Sequence, residues 1–118
     1  MPATIHTEHG LYLYTQPGEE RIHTQSDLLG LLARCSEEGT SLLVLSAGSL
    51  APDFFDLSSG LAGDFFLKLS TYRVKTAVVL DPDTRLSSRF GDLIAECNRG
   101  KEIHFCRSLS EAERWLFS

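Results

Sequence analysis

The distribution of apolar and polar positions along the chain predicts strands and helices that alternate. Short runs rich in apolar, β-branched or aromatic residues predict strands at residues 4–7, 11–15, 42–45, 77–80 and 103–106. The runs at 42–45 and 77–80 are apolar at every position, which is typical of central strands covered on both faces. His9-Gly10 separates the first two runs by a tight turn, so the chain is expected to open with a hairpin.

Apolar residues at helical spacing predict a helix before each of the last three strands and another at the end of the chain. The expected starts are Thr24 or Ser26, about Ser59, Ser87 or Ser88, and a Ser110–Glu113 capping box. The resulting order, β-β-α-β-α-β-α-β-α, predicts a mixed, mostly parallel five-stranded sheet with four helices. We expect a single α/β domain over residues 1–118.

The composition of the chain argues against several classes of function. The formal net charge is −5, whereas nucleic-acid binders usually carry a basic face, so no nucleic-acid partner is expected. The first residues lack the basic and apolar regions of a signal peptide, and no apolar run approaches the length of a membrane span. The three cysteines match no metal or redox spacing, which favours a reducing compartment. A cytoplasmic protein with no membrane association is therefore expected.

The largest group of candidate functional residues lies between the third predicted strand and the second predicted helix. The segment supplies a phosphorylation or anion-binding candidate pair, Ser58 and Ser59, because serines at a helix start lie beside free backbone N–H groups. The remaining candidates form an interaction surface: Asp53, Phe54, Phe55, Asp56, Gly60 and Gly63. The alternative is structural, since serines also cap helices and small residues allow close packing.

Two resemblances follow from these residues. Asp56, Ser58-Ser59-Gly60-Leu61 and Gly63 resemble the Asp-Ser-Ser-Gly-Leu-Gly element of STAS domains, the sulfate-transporter and anti-sigma-factor-antagonist family, and the order of strands and helices is similar too. That resemblance implies a STAS-like fold, in which a partner kinase phosphorylates a serine at this helix start and so switches binding to an anti-sigma factor. Aligning Ser-Gly-Leu makes Ser59 the corresponding residue.

The second resemblance extends over most of the chain. Four blocks, at residues 52–57, 60–63, 72–77 and 96–100, are similar in order and content to a bacterial family of uncharacterised domains, domain of unknown function 4180. It implies a bacterial protein and carries no established activity.

Other residues have both a functional and a structural interpretation. Arg73 could reach an anion held at the Ser59 helix start, or form a surface ion pair. Glu96 and Asn98 could share a pocket with the serine segment, or Asn98 could belong to a helix C-cap. Phe54 and Phe55 could plug the core or form an apolar partner surface, through which a homodimer could also assemble.

No residue pattern indicates a catalytic, metal or cofactor site. The chain lacks a nucleophile elbow, a phosphate-binding loop and a dinucleotide fingerprint, and its histidines have no neighbouring ligand cluster. The first hypothesis is a non-catalytic regulatory module that binds a protein partner and is switched at Ser58 or Ser59. The second is a small enzyme or binding protein for an anionic metabolite, with a pocket near Asp56, Arg73 and Glu96.

Overall fold

Five strands form one sheet in the computed structural model, which describes residues 2–17 and 22–118. In chain order they are β1 (Ala3–Thr7), β2 (Gly10–Thr15), β3 (Leu42–Ser46), β4 (Lys75–Val79) and β5 (Ile103–Cys106). They lie side by side in that same order, with β1 antiparallel to β2 and all later neighbours parallel. The predicted mixed, mostly parallel sheet is confirmed.

Four α-helices connect and cover the strands in the described part of the chain. They are α1 (Gln25–Glu37), α2 (Leu61–Thr71), α3 (Ser88–Asn98) and α4 (Leu109–Leu116). Thr24 caps α1 and Ser87 caps α3, as predicted. Within the same described ranges, no helix has both the length and the apolar character needed to cross a membrane.

The start of α4 corrects the predicted capping box. The Ser-x-x-Glu pattern occurs twice in overlapping positions, and the fold uses the earlier copy: the Ser108 hydroxyl accepts from the Glu111 N–H at 3.1 Å. The later copy, Ser110 and Glu113, is not the cap. Glu113 instead accepts a hydrogen bond of 2.8 Å from the buried Tyr12 hydroxyl, which ties α4 to β2. Both copies satisfy the same local rule, so tertiary contact decided between them.

The core lies in two layers, one on each face of the sheet. The larger layer packs α1, α2 and α3 against alternate residues of the sheet, including Leu13, Leu43 and Val78. The smaller layer packs α4 against the opposite face, which presents Tyr12 and Val44 among others. Because three crossovers share one face and every parallel neighbour is consecutive, the carboxyl ends of β2, β3 and β4 meet at one edge of the molecule.

Candidate functional site

The loop after β3 forms the candidate site, and its shape comes from three short 3-10 turns. These are Ala47–Ser49, Pro52–Phe55 and Leu57–Ser59. Ile22, which follows the first hairpin, pairs with Leu50, its N–H donating to Ser49 O at 2.7 Å. This bridge holds the start of the loop against the sheet, so the rest of the loop projects from the carboxyl ends of the strands.

Asp56 and Ser58 form a local turn at the exposed tip of this loop. The Asp56 Oδ1 atom accepts from the Ser58 hydroxyl at 2.6 Å and from the Ser58 N–H at 3.0 Å. These two hydrogen bonds, the hydroxyl first, hold the pKa of the Asp56 carboxyl below its usual value. Asp56 is therefore ionised at neutral pH and caps the last 3-10 turn as a carboxylate.

Replacing Ser58 with alanine should raise the pKa of Asp56 towards its ordinary value, because the shorter of the two hydrogen bonds is lost. A carboxyl titration followed by NMR measures this shift. Since the folded pKa lies below the unfolded one, the turn gains stability above the unfolded pKa and loses it as the pH falls through the folded pKa. Ser110→Ala is the matched control, because that exposed serine lies on α4, outside the loop. An unchanged Asp56 pKa in Ser58→Ala would contradict this account.

Ser59 lies before the helix rather than within it. The prediction that α2 starts near Ser59 is wrong by two residues, because Gly60 serves as the N-cap in the left-handed conformation with φ of 75°. Glycine adopts that conformation without the steric cost that a Cβ would add. The single proton of the Ser59 hydroxyl is shared between the Asp53 and Asp56 carbonyls, at 2.6 and 2.8 Å, and the hydroxyl accepts from the Leu61 N–H at 3.2 Å. These hydrogen bonds connect residues of the loop to one another and to the first residue of α2.

A cleft of about 470 Å³ opens between this loop and the segment that follows β4. Its lining residues are Ala47, Leu50, Pro52, Phe55, Asp56, Asp81, Asp83, Thr84 and Arg85. Asp81 shapes the second wall, since its Oδ1 accepts from the Asp83 N–H and the Thr84 hydroxyl, each at 3.0 Å. The lining includes three aspartates and one arginine, so the cleft carries an excess of acidic residues.

The predicted interaction surface is only partly exposed. Phe54 is 1% exposed and contacts the rings of Phe65 and Phe90, so its assignment to a partner surface is wrong and it belongs to the core. Phe55 is half-buried beside it and forms part of the cleft wall. Gly63 is exposed on α2 and a Cβ there would meet nothing within 4 Å, so neither close packing nor a close backbone approach explains this glycine.

The structure does not bring Arg73 or Glu96 to the serine turn. Arg73 follows the last residue of α2 while Ser59 precedes the first, and a helix of 11 residues spans about 16 Å. Arg73 lines a different cavity with Lys101 and Glu102, at the opposite end of the sheet from Asp56. Glu96 lies in the last turn of α3, whereas it is the first turn of that helix that follows the cleft wall, so the length of the helix separates Glu96 from the cleft. The predicted pocket near Asp56, Arg73 and Glu96 is therefore not formed.

Asn98 has a structural contact that neither sequence interpretation contained. Its Nδ2 donates to Phe105 O at 3.0 Å, and its Oδ1 accepts from the Phe105 N–H at 2.7 Å. The side-chain amide thus pairs with the outer edge of β5 as a neighbouring strand would. It neither caps α3, whose C-cap is Arg99, nor lines the cleft.

The three cysteine thiols and the two loop serines lack the contacts that would activate them as nucleophiles. Burial raises the pKa of the Cys35 thiol to about 11 and also raises those of Cys97 and Cys106, so the thiols are protonated at neutral pH. The Ser58 and Ser59 hydroxyls bond to the Asp56 carboxylate and to backbone carbonyls, and to no histidine. Within residues 2–17 and 22–118, no three His, Cys, Asp or Glu side chains are grouped to hold a metal ion.

Sequence reasoning missed the second wall of the cleft and the polar contacts below it. The sequence did contain a signal for this wall. The polar residues Asp83, Thr84 and Arg85 follow the apolar run at 77–80, which is the next strand run along the chain after the one that precedes the serine segment. Behind the loop, the buried hydroxyls of Thr15 and Ser49 bond to each other at 2.8 Å, and Ser46 bonds to both residues. No sequence motif marks the whole network, because Thr15 ends β2 whereas Ser46 and Ser49 lie 31 and 34 residues further along the chain.

A family model described as a domain of unknown function (DUF4180) matches residues 8–116. No curated protein and no solved structure matches the chain.

Proposed function

The chain belongs to the domain of unknown function (DUF4180) family, and from the geometry of its serine turn we propose that it is a non-catalytic regulatory module that binds another protein. The observation that carries the proposal is the 2.6 Å hydrogen bond between the Ser58 hydroxyl and Asp56. It connects an exposed, modifiable hydroxyl directly to a residue that lines the acidic cleft. A change at Ser58 therefore alters the wall of the cleft.

The contacts favour Ser58 over Ser59 as the regulated residue. A phosphoryl group on Ser58 would replace a donated hydrogen bond with repulsion between a phosphate of about −1.5 to −2 charge and the ionised Asp56. To relieve this repulsion, the exposed turn formed by Asp56 and Ser58 would have to open. The other contacts of this turn lie at the surface of the protein. The same group on Ser59 would break two bonds to loop carbonyls that hold the segment together.

The charge of the cleft indicates the kind of partner. Asp56, Asp81 and Asp83 outnumber Arg85, so an exposed lysine or arginine of a partner protein is complementary to this wall. An anionic metabolite would be repelled by the same carboxylates. The protein-binding hypothesis is therefore favoured over the anionic-metabolite hypothesis.

The proposal includes a STAS-like fold and a bacterial, cytoplasmic protein. The fold is supported by the order of the elements, together with a serine turn that follows a central strand and precedes a helix. In STAS domains a partner kinase modifies a serine at this helix start, and the alignment places Ser59 at that position, whereas the contacts here favour its neighbour Ser58. This chain differs from STAS domains in that Leu57 separates Asp56 from the serines, which here lets the Asp56 side chain bond the serine two residues ahead.

Ser58→Asp should weaken binding to the physiological partner, because its carboxylate repels Asp56, opens the turn and so displaces part of the cleft wall. Ser58→Asn adds no charge beside Asp56 and should retain binding. The measurement is capture by the immobilised chain from an extract of its native cells, quantified by mass spectrometry for wild type and both variants. Asp83→Lys should also weaken capture by reversing charge in the cleft. Arg73→Gln, at the opposite end of the sheet, is the matched control and should change nothing.

Two results would contradict the proposal. Proteins captured equally by wild type, Ser58→Asp and Asp83→Lys would exclude this surface as the binding site. Phosphate mapping of the protein purified from its native cells tests the switch separately: a phosphate on Ser58 supports it, and complete coverage of the peptide without phosphate, in growing and in starved cells, opposes it.

A further inference from the structure

The last turn of α4 rests on side chains from two neighbouring strands. The indole of Trp115 stacks on the imidazole of His104 in β5, with ring centroids 5.0 Å apart and an angle of 17° between the planes. Lys75 of β4 lies over the same indole, with its Nζ 4.6 Å from the ring centroid. His104 is paired with Ala77, two residues after Lys75, so both side chains lie on the α4 face of the sheet.

Lys75 already supplies a positive charge at this end of the helix. Its Nζ donates to the Trp115 and Leu116 carbonyls, at 3.0 and 3.1 Å, and so satisfies two carbonyls at the end of α4. An ammonium group at that position also complements the negative end of the helix dipole. A protonated His104 would therefore be a second cation against an indole that already contacts one.

The position of the His104 ring favours its neutral form. The Nδ1 atom is buried and has no hydrogen-bond partner among the described residues. A neutral ring can keep this nitrogen as an acceptor without a proton, whereas an imidazolium carries an N–H on both nitrogens and would bury an unpaired donor. Burial accordingly lowers the pKa of His104 below its ordinary value, and the Glu111 carboxylate opposes this shift only in part.

Groups from each element packed against β5 act on His104. In α4, Glu111 favours the protonated ring, but it is exposed in the first turn of the helix. In β4, the charge of Lys75 disfavours protonation. In β5 itself, the Cys106 thiol lies on the same face and is neutral, because burial raises its pKa. The helix α3 approaches the strand through the uncharged amide of Asn98.

We propose that His104 is a pH-sensitive switch for the docking of α4: the neutral ring holds Trp115 on the sheet, and protonation in mildly acidic solution loosens the last turn of the helix. The stabilising contribution of the neutral ring is complete above the unfolded-state pKa and is lost as the pH falls through the lower folded-state pKa. The helix α4 and the core residue Phe54 of the candidate loop pack on opposite faces of the sheet, so the proposal is independent of the proposed function.

Trp115 is the only tryptophan of the chain, so its fluorescence reports on this contact. Quenching by acrylamide should be weak at neutral pH and should increase on acidification, with a midpoint below the ordinary histidine pKa of about 6.5. An NMR titration of the His104 ring protons should give the same midpoint. His104→Phe keeps an aromatic ring against Trp115 without a titratable group, so it should remove the pH dependence. His6→Gln, an exposed position on the strand at the other edge of the sheet, should leave it unchanged.

A His104 midpoint at or above about 6.5 would overturn the proposal. Quenching that changes with pH to the same extent in wild type and in His104→Phe would overturn it as well. The NMR titration uses the wild-type chain, so it decides the question even if His104→Phe does not fold. Far-UV circular dichroism distinguishes loosening of α4 from unfolding of the whole chain, and complete unfolding at the same midpoint would show that the switch is not confined to α4.

Discussion

Replacing Phe54 with alanine should lower the free energy of unfolding by about 3–5 kcal/mol. The side chain is 1% exposed and sits among aromatic rings, with centroid distances of 5.1 Å to Phe55, 5.6 Å to Phe65 and 6.0 Å to Phe90. Alanine would leave a cavity where the candidate loop meets α2 and α3. Urea denaturation followed by far-UV circular dichroism measures the change.

Phe55→Ala is the matched control for that experiment. Phe55 is half-buried at the wall of the cleft, so its truncation should cost clearly less than truncation of Phe54. The two variants also distinguish the roles of the adjacent rings. If Phe54→Ala unfolds at the same urea concentration as wild type, the ring is not the core anchor described above.

Asn98→Ala should lower the free energy of unfolding by about 2–3 kcal/mol, because it leaves both polar groups of Phe105 without their partner. Asn98→Asp should have a similar effect, since a carboxylate can accept from the Phe105 N–H but repels its carbonyl oxygen. Denaturation gives the overall change, and hydrogen exchange of the Phe105 amide locates it. That amide should exchange faster in both variants.

Glu96→Gln is the control on the same helix. Glu96 is exposed, so its substitution should change stability by no more than about 0.5 kcal/mol. An unaltered Phe105 exchange rate in Asn98→Ala would show that the side-chain amide does not protect the β5 edge.

The local parts of the candidate site follow from sequence, while its long-range parts do not. Asp56 and Ser58 are two residues apart, and a carboxylate readily bonds the backbone and hydroxyl two positions ahead. Arg73 is close to Ser59 in sequence, yet α2 lies between them and holds them at opposite ends of the sheet. Asn98 and Phe105 belong to different elements, and only the packing of α3 beside β5 aligns the side-chain amide with the strand.

The sequence by itself determined the order of the elements and the two central strands, because continuous apolar runs and helical spacing are read over a few neighbouring residues. It also located the serine turn, because capping and turn chemistry act over two to four positions. Only the tertiary structure decided which Ser-x-x-Glu forms the α4 cap, that Phe54 is buried and which acidic residues line the same cleft. These outcomes depend on contacts between elements far apart in the chain, and local preferences of about 1 kcal/mol are too small to choose among them.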